Sequence, residues 1–208
     1  MAITARNLEG ISGVLVSLSR RLPLPEAQHV FALFAGDNAK GARLLDDTAL
    51  KVRVFTFPAL DLQIACESTR VRFDLLKPHK PDEFRLGEIM GTFARTLYPD
   101  VPFERFGFNY DTAYQYDAVI PQRELWKAFM HEDLIEEMTH FGWQATFQKE
   151  KGKRRDTCFF KVVSPLELRV MTNVELDRPL PPQDADVQTL FERCYTESHE
   201  IVQKMAFS

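Results

Sequence analysis

The sequence predicts an α+β fold, a largely antiparallel sheet or pair of sheets covered by helices. Two patterns carry this reading. Leu166–Asp177 is the most regular period-two run in the chain, Leu166, Leu168, Val170, Thr172, Val174 and Leu176 alternating with Glu167, Arg169, Met171, Asn173, Glu175 and Asp177, the period of a strand with one dry face. In Leu86, Ile89, Met90, Phe93 and Leu97, and again in Val187, Leu190, Phe191, Cys194, Ser198, Val202 and Met205, the spacing is that of a helix with one apolar face. The 208 residues fit one domain, with 1–121 and 122–208 as a conceivable subdivision into two successive β-α-β-β-type halves.

In chain order, Ser12–Ser19 reads as a strand ended by Arg20 and Arg21. Pro25 suits the first turn of a helix whose inner face is Ala27, Val30, Phe31 and Phe34, with Gly36 as its stop. The polar stretch 36–47 reads as a loop. Leu60–Cys66 and Val71–Leu75 alternate around the turn at Glu67–Thr69 and predict a hairpin, and Val52 and Val54 belong to its first strand or to one before it. Lys77–Pro81 breaks regular structure, and Asp82 is placed to cap the helix that ends before Pro99.

Pro102–Asp117, PFERFGFNYDTAYQYD, is a strand read at period two: Phe106, Phe108 and Tyr110 on one face, Arg105, Gly107, Asn109 and Asp111 on the other. Gln122–Phe141 predicts a helix with Gly142 as its stop. Trp143–Val163 is a hairpin around a charged turn, and after the long strand at 166–177 a proline-rich link leads to the last helix.

Composition narrows the functional classes. A hydrophobic content of 45% with 17 Phe promises a substantial aromatic core. The net charge of −4 disfavours binding to polyanions by the field of the whole molecule. Three cysteines without metal-type spacing suggest neither a disulfide framework nor a zinc site, and with no secretion signal or membrane-length apolar run the expected compartment is the cytoplasm. P-loop, GxGxxG, HExxH and GxSxG motifs are all missing, so no catalytic residue and no cofactor is assigned.

Three groups are candidate sites. Arg105, Asn109 and Asp111 form a polar strip beside Gly107 that is positioned to contact a ligand. Lys149, Lys151, Lys153, Arg154 and Arg155 crowd a hairpin turn that could neutralise phosphates of a nucleic acid, or simply keep the turn soluble. His131, Glu136 and His140 lie within one helical stretch, and Glu136 and His140 share a face, so a metal-dependent hydrolase is a further alternative to a solvated helix surface. In CYTESHE, Ser198 and His199 are adjacent and point about 100° apart on a helix, so they form no nucleophile–base pair.

At ERFGFNYD the chain resembles a motif of the RLGLRYIN type, found in an uncharacterised, sporadically distributed family of prokaryotic proteins. There the motif follows a helix and the chain ends in a helix with a His and a late Phe; here the helix ending at Leu97 precedes Arg105, Gly107 and Tyr110, and His199 and Phe207 come last. The resemblance implies a similar order of elements and a genomic association with mobile elements or defence, and no catalytic residue. With catalytic motifs missing, the leading expectation is a non-enzymatic protein-binding or assembly module that meets another protein, or itself, through an exposed sheet face or its C-terminal helix.

Overall fold

In the computed structural model, which describes residues 1–77, 83, 85–127 and 142–204, nine antiparallel strands form one open sheet in the order β2-β3-β4-β5-β1-β6-β9-β8-β7. The strands are β1 (Ile3–Val16), β2 (Arg43–Asp47), β3 (Val52–Phe57), β4 (Leu62–Cys66), β5 (Arg70–Leu75), β6 (Arg105–Tyr116), β7 (Gly142–Lys149), β8 (Arg154–Ser164) and β9 (Glu167–Leu176). The helices are α1 (Ala27–Leu33), α2 (Leu86–Leu97), α3 (Gln122–Lys127) and α4 (Asp184–Gln203). Among the described residues no helix is long and apolar enough to cross a membrane.

Two elements differ from the sequence reading. Strand β1 begins at Ile3 rather than Ser12, because its polar first half is paired along β6, from Ile3 opposite Tyr116 to Val16 opposite Arg105. Arg43–Asp47, read as loop, is an edge strand. Its charged residues give no alternating signal, and pairing with Val52–Thr56 of β3 makes it a strand all the same. The predicted helix at 122–141 is described as far as Lys127; Asp82, residues 128–141, Met205 and Phe207 lie outside the described residues.

The helices share one face of the sheet. There Ile11 and Leu15 of β1, Phe55 and Phe57 of β3, Leu62 and Ile64 of β4, Val71 and Phe73 of β5, and Phe106, Phe108 and Tyr110 of β6 are buried against Val30, Met90, Phe93, Val187, Phe191 and Cys194. Rings meet mostly edge-on, Phe73 against Phe93 at 5.2 Å and Phe108 against Phe191 at 5.3 Å, the geometry that aligns ring edges with ring faces. A second cluster of Tyr114, Tyr116, Ile120, Cys158, Phe160, Leu168, Val170 and Val202 continues the same layer toward β7. Tyr110 is buried whole, and its hydroxyl donates to the Phe191 carbonyl at 2.6 Å, so α4 is fixed to the sheet centre by a bond as well as by packing.

Candidate functional site: the uncovered face of the sheet

Period two sends every second residue of these strands to the opposite face, and no described helix lies against that face. The strand register defines what stands there. Reading straight across, Arg43, Thr56, Gln63, Asp74, Ser12, Asn109, Asn173, Thr157 and Thr146 are successive cross-strand partners, one from each of the nine strands. Every position in this row carries a hydrogen-bonding side chain. At about 4.8 Å per strand step the row extends for about 38 Å. Neighbours within it are already bonded: Asn109 Nδ2 donates to Ser12 Oγ at 2.9 Å, and the Thr146 and Thr157 hydroxyls lie 3.4 Å apart.

The twisted sheet forms a shallow concavity of about 490 Å³ at the middle of this row. Its polar lining includes Ser12, Arg72, Asp74, Asn109, Asp111 and Asn173. One wall is apolar, because Phe159 of β8 and Met171 of β9 are cross-strand partners and stand 41% and 51% exposed. Arginines near the middle of this face are held by carboxylates, whereas Arg43 at the β2 end of the row has no ion pair among the described residues. Arg72 binds Asp74 at 2.7 Å, Arg169 binds Asp111 at 2.8 Å and Glu9 at 3.1 Å, and Arg155 binds Glu175. The face is consequently polar with both signs interleaved, rather than a cationic track.

Of the strip named from sequence, Asn109 and Asp111 line the concavity, whereas Arg105 stands at the far end of β6 and pairs with Asp177 at 2.9 Å. Gly107, the residue between Arg105 and Asn109, sits so close to β9 that a Cβ there would fall 2.3 Å from the Val174 carbonyl oxygen. Its glycine therefore serves strand contact and not ligand approach. Arg72, Phe159, Met171 and Asn173 went unrecognised in the sequence. Each is an ordinary outward residue of its own strand, and only the register makes them neighbours.

The basic hairpin is corrected in part. Arg154 is not at an exposed tip; it is 1% exposed and lies on the helix face. Its guanidinium donates from Nε and Nη2 to Asp156 at 2.7 and 2.8 Å and from Nη1 to Glu197 of α4 at 2.6 Å. Lys149 is drawn to the same carboxylates, at 2.9 Å from Asp156 and 3.3 Å from Glu197. The register explains the difference: Arg154 pairs with Leu176, a core position, so its side chain must enter the interior and bring a counter-charge with it. Lys151 and Lys153 remain without an ion pair among the described residues.

Burial would raise the Glu197 carboxyl, but Arg154 and Lys149 outweigh it and hold the group below the ordinary carboxylate range. Because the folded value is the lower one, this contribution to stability is complete above the unfolded Glu value of about 4.3 and is lost as pH falls through the folded value. Acid titration of the Glu197→Gln variant should therefore show a shallower loss of stability than the wild-type chain below about pH 4.3; parallel curves would show that the pair is solvated.

His131, Glu136 and His140 lie outside the described residues, and among the described residues no group of three His, Cys, Asp or Glu side chains is placed to hold a metal ion. In α4 the Ser198 hydroxyl is spent on the Tyr195 carbonyl at 2.7 Å, and burial pushes the Cys194 thiol up to about 12, so neither is an activated nucleophile. His199 stacks on Tyr114 at 5.5 Å. No protein-family model matches the chain, and no curated protein matches it.

Proposed function

We propose that the protein is a non-enzymatic binding module whose working surface is the uncovered face of its sheet and whose partner is another protein. The observation that carries this reading is the pairing of Phe159 with Met171, half-exposed at the wall of a polar concavity. Exposed aromatic, Met and Arg side chains at the centre of a surface with a polar surround make up the composition of a protein interface core. Interleaved Arg–carboxylate pairs suit a partner surface of mixed charge, and they weigh against a polyanion, which needs unpaired cations in a line.

The test is comparative capture from a lysate of the source cells by the full chain and by the Phe159→Ala/Met171→Ala variant. Both residues are already solvent-exposed, so the variant should melt within a few degrees of the wild type. A protein retained by the wild type and lost by the variant is the expected result, with an affinity loss of tenfold or more for about 2 kcal/mol removed at an interface centre. Identical sets of retained proteins would overturn the assignment of this face.

A further inference from the structure

The two edges of the sheet are built differently. One edge is β2, five residues long, with Arg43, Asp46 and Asp47 along it, the short charged kind of edge that resists pairing with another chain. The other is β7, eight residues long, whose run Gly142–Gln148 contains no charge and no proline. The strand's single cation, Lys149, cannot guard the edge because it is tied inward to Asp156 and Glu197. Among the described residues nothing pairs with the outer side of β7, so its outward backbone N–H and C=O groups form a template for a further strand.

We infer that the occupant of this edge is β7 of a second copy of the chain, paired antiparallel about a two-fold axis through Ala145. The sequence around that residue, Trp143-Gln144-Ala145-Thr146-Phe147, is palindromic in character: apolar, polar, small, polar, apolar. A two-fold contact requires a surface that complements itself, and this segment does so in one register. With Ala145 opposite its own copy, Trp143 of each chain faces Phe147 of the other on the helix side, and Gln144 faces Thr146 on the uncovered side. Trp143 keeps its stacking on Phe160, at 4.9 Å, while the 36% exposed Phe147 gains an aromatic cross-strand neighbour. A shift by one residue would place each aromatic ring opposite a polar or small side chain and lose both pairs.

The assembly closes at two copies, because β2 at the other end of each sheet does not offer an equivalent edge. It also makes one sheet of eighteen strands, twice the nine of each chain, and so joins the two uncovered faces side by side. This inference does not rest on the protein-binding reading: the Phe159 and Met171 wall is outside β7, so capture can fail while pairing holds, and the reverse.

A single eight-residue edge buries less area than a standard interface of about 1,600 Å², so the dimer should be concentration-dependent. Sedimentation of the full chain should show the mass rising from 24.0 kDa toward twice that value across the micromolar range. The Gln144→Lys/Thr146→Lys variant changes two exposed positions and sets like charges opposite each other only in the dimer, so it should melt as the wild type does and remain a monomer. For register, Ala145→Cys should give a covalent dimer on mild oxidation, since directly opposed Cα atoms about 4.5–5.5 Å apart fall within disulfide reach. The native cysteines are all buried and give no background. Leu45→Cys, on the opposite edge, should give none. A wild-type chain that stays at 24.0 kDa, a lysine variant that associates equally well, or equal cross-linking at 45 and 145 would each overturn the inference.

Discussion

Replacing Asp156 by Ala should destabilise the fold by about 3–5 kcal/mol, because it strands the Arg154 guanidinium in the core without its bidentate partner. Asp156 is 0% exposed and Arg154 1%, so water cannot take over the lost bonds. For a chain of this length the melting temperature should fall by about 6–20 °C, at about 2–4 °C per kcal/mol. The companion variant is informative. Arg154→Met with Asp156→Leu removes both charges together and fills similar space, and replacements of that kind are close to neutral or stabilising. The double variant should therefore melt near the wild type. If Asp156→Ala cost under about 1 kcal/mol, the pair would be accessible to water, and Arg154 would return to the cations available at the hairpin tip.

This network also marks where sequence reading stopped being informative. Alternation of apolar and polar residues was enough to orient β6 and β9, because one face of each is dry and a slip by one residue would expose it. It assigned Phe106, Phe108 and Tyr110 to the core, and Asn109 and Asp111 to the opposite face. In β8 the same rule meets a cluster of charge at Lys153, Arg154 and Arg155, which reads as an exposed turn although Arg154 is buried. The resolving signal lay two residues on: Asp156 shares the face of Arg154 at period two, and a buried cation needs such a carboxylate.

The candidate site was legible only in fragments. Its residues come from strands as distant as Ser12, Arg72, Asn109, Phe159 and Asn173, and their adjacency is a property of strand order, not of any local run. Sheet order was the missing quantity. Strand β1 separates β5 from β6, and β9 and β8 lie between β6 and β7, so consecutive strands are not always neighbours. Long-range pairing with β6 makes a strand of the polar start of β1, and a short hairpin with β3 does the same for the charged stretch Arg43–Asp47, where local propensity favours neither.

Gly87→Ala should cost about 3 kcal/mol, a large loss for one methyl group on a helix. A Cβ at Gly87 would lie 2.6 Å from the Gln188 backbone nitrogen and Cα, and backbone cannot move aside as a side chain can. The two helices would have to part, and the 2.9 Å bond in which the Gly87 N–H donates to Gln188 Oε1 would open with them. That bond satisfies one of the amides left over at the start of α2. Better helix propensity returns only about 1 kcal/mol. Gly13→Ala provides the contrast. Its Cβ would meet the sulfur of Met90, the flexible part of a side chain that can adopt another rotamer, so a loss under about 1.5 kcal/mol is expected. The comparison by chemical denaturation distinguishes contact between two backbones from contact with a deformable side chain. If both variants lost the same stability, α2 and α4 would have freedom to separate, and the close approach of Gly87 to Gln188 would not be what holds α4 over the sheet.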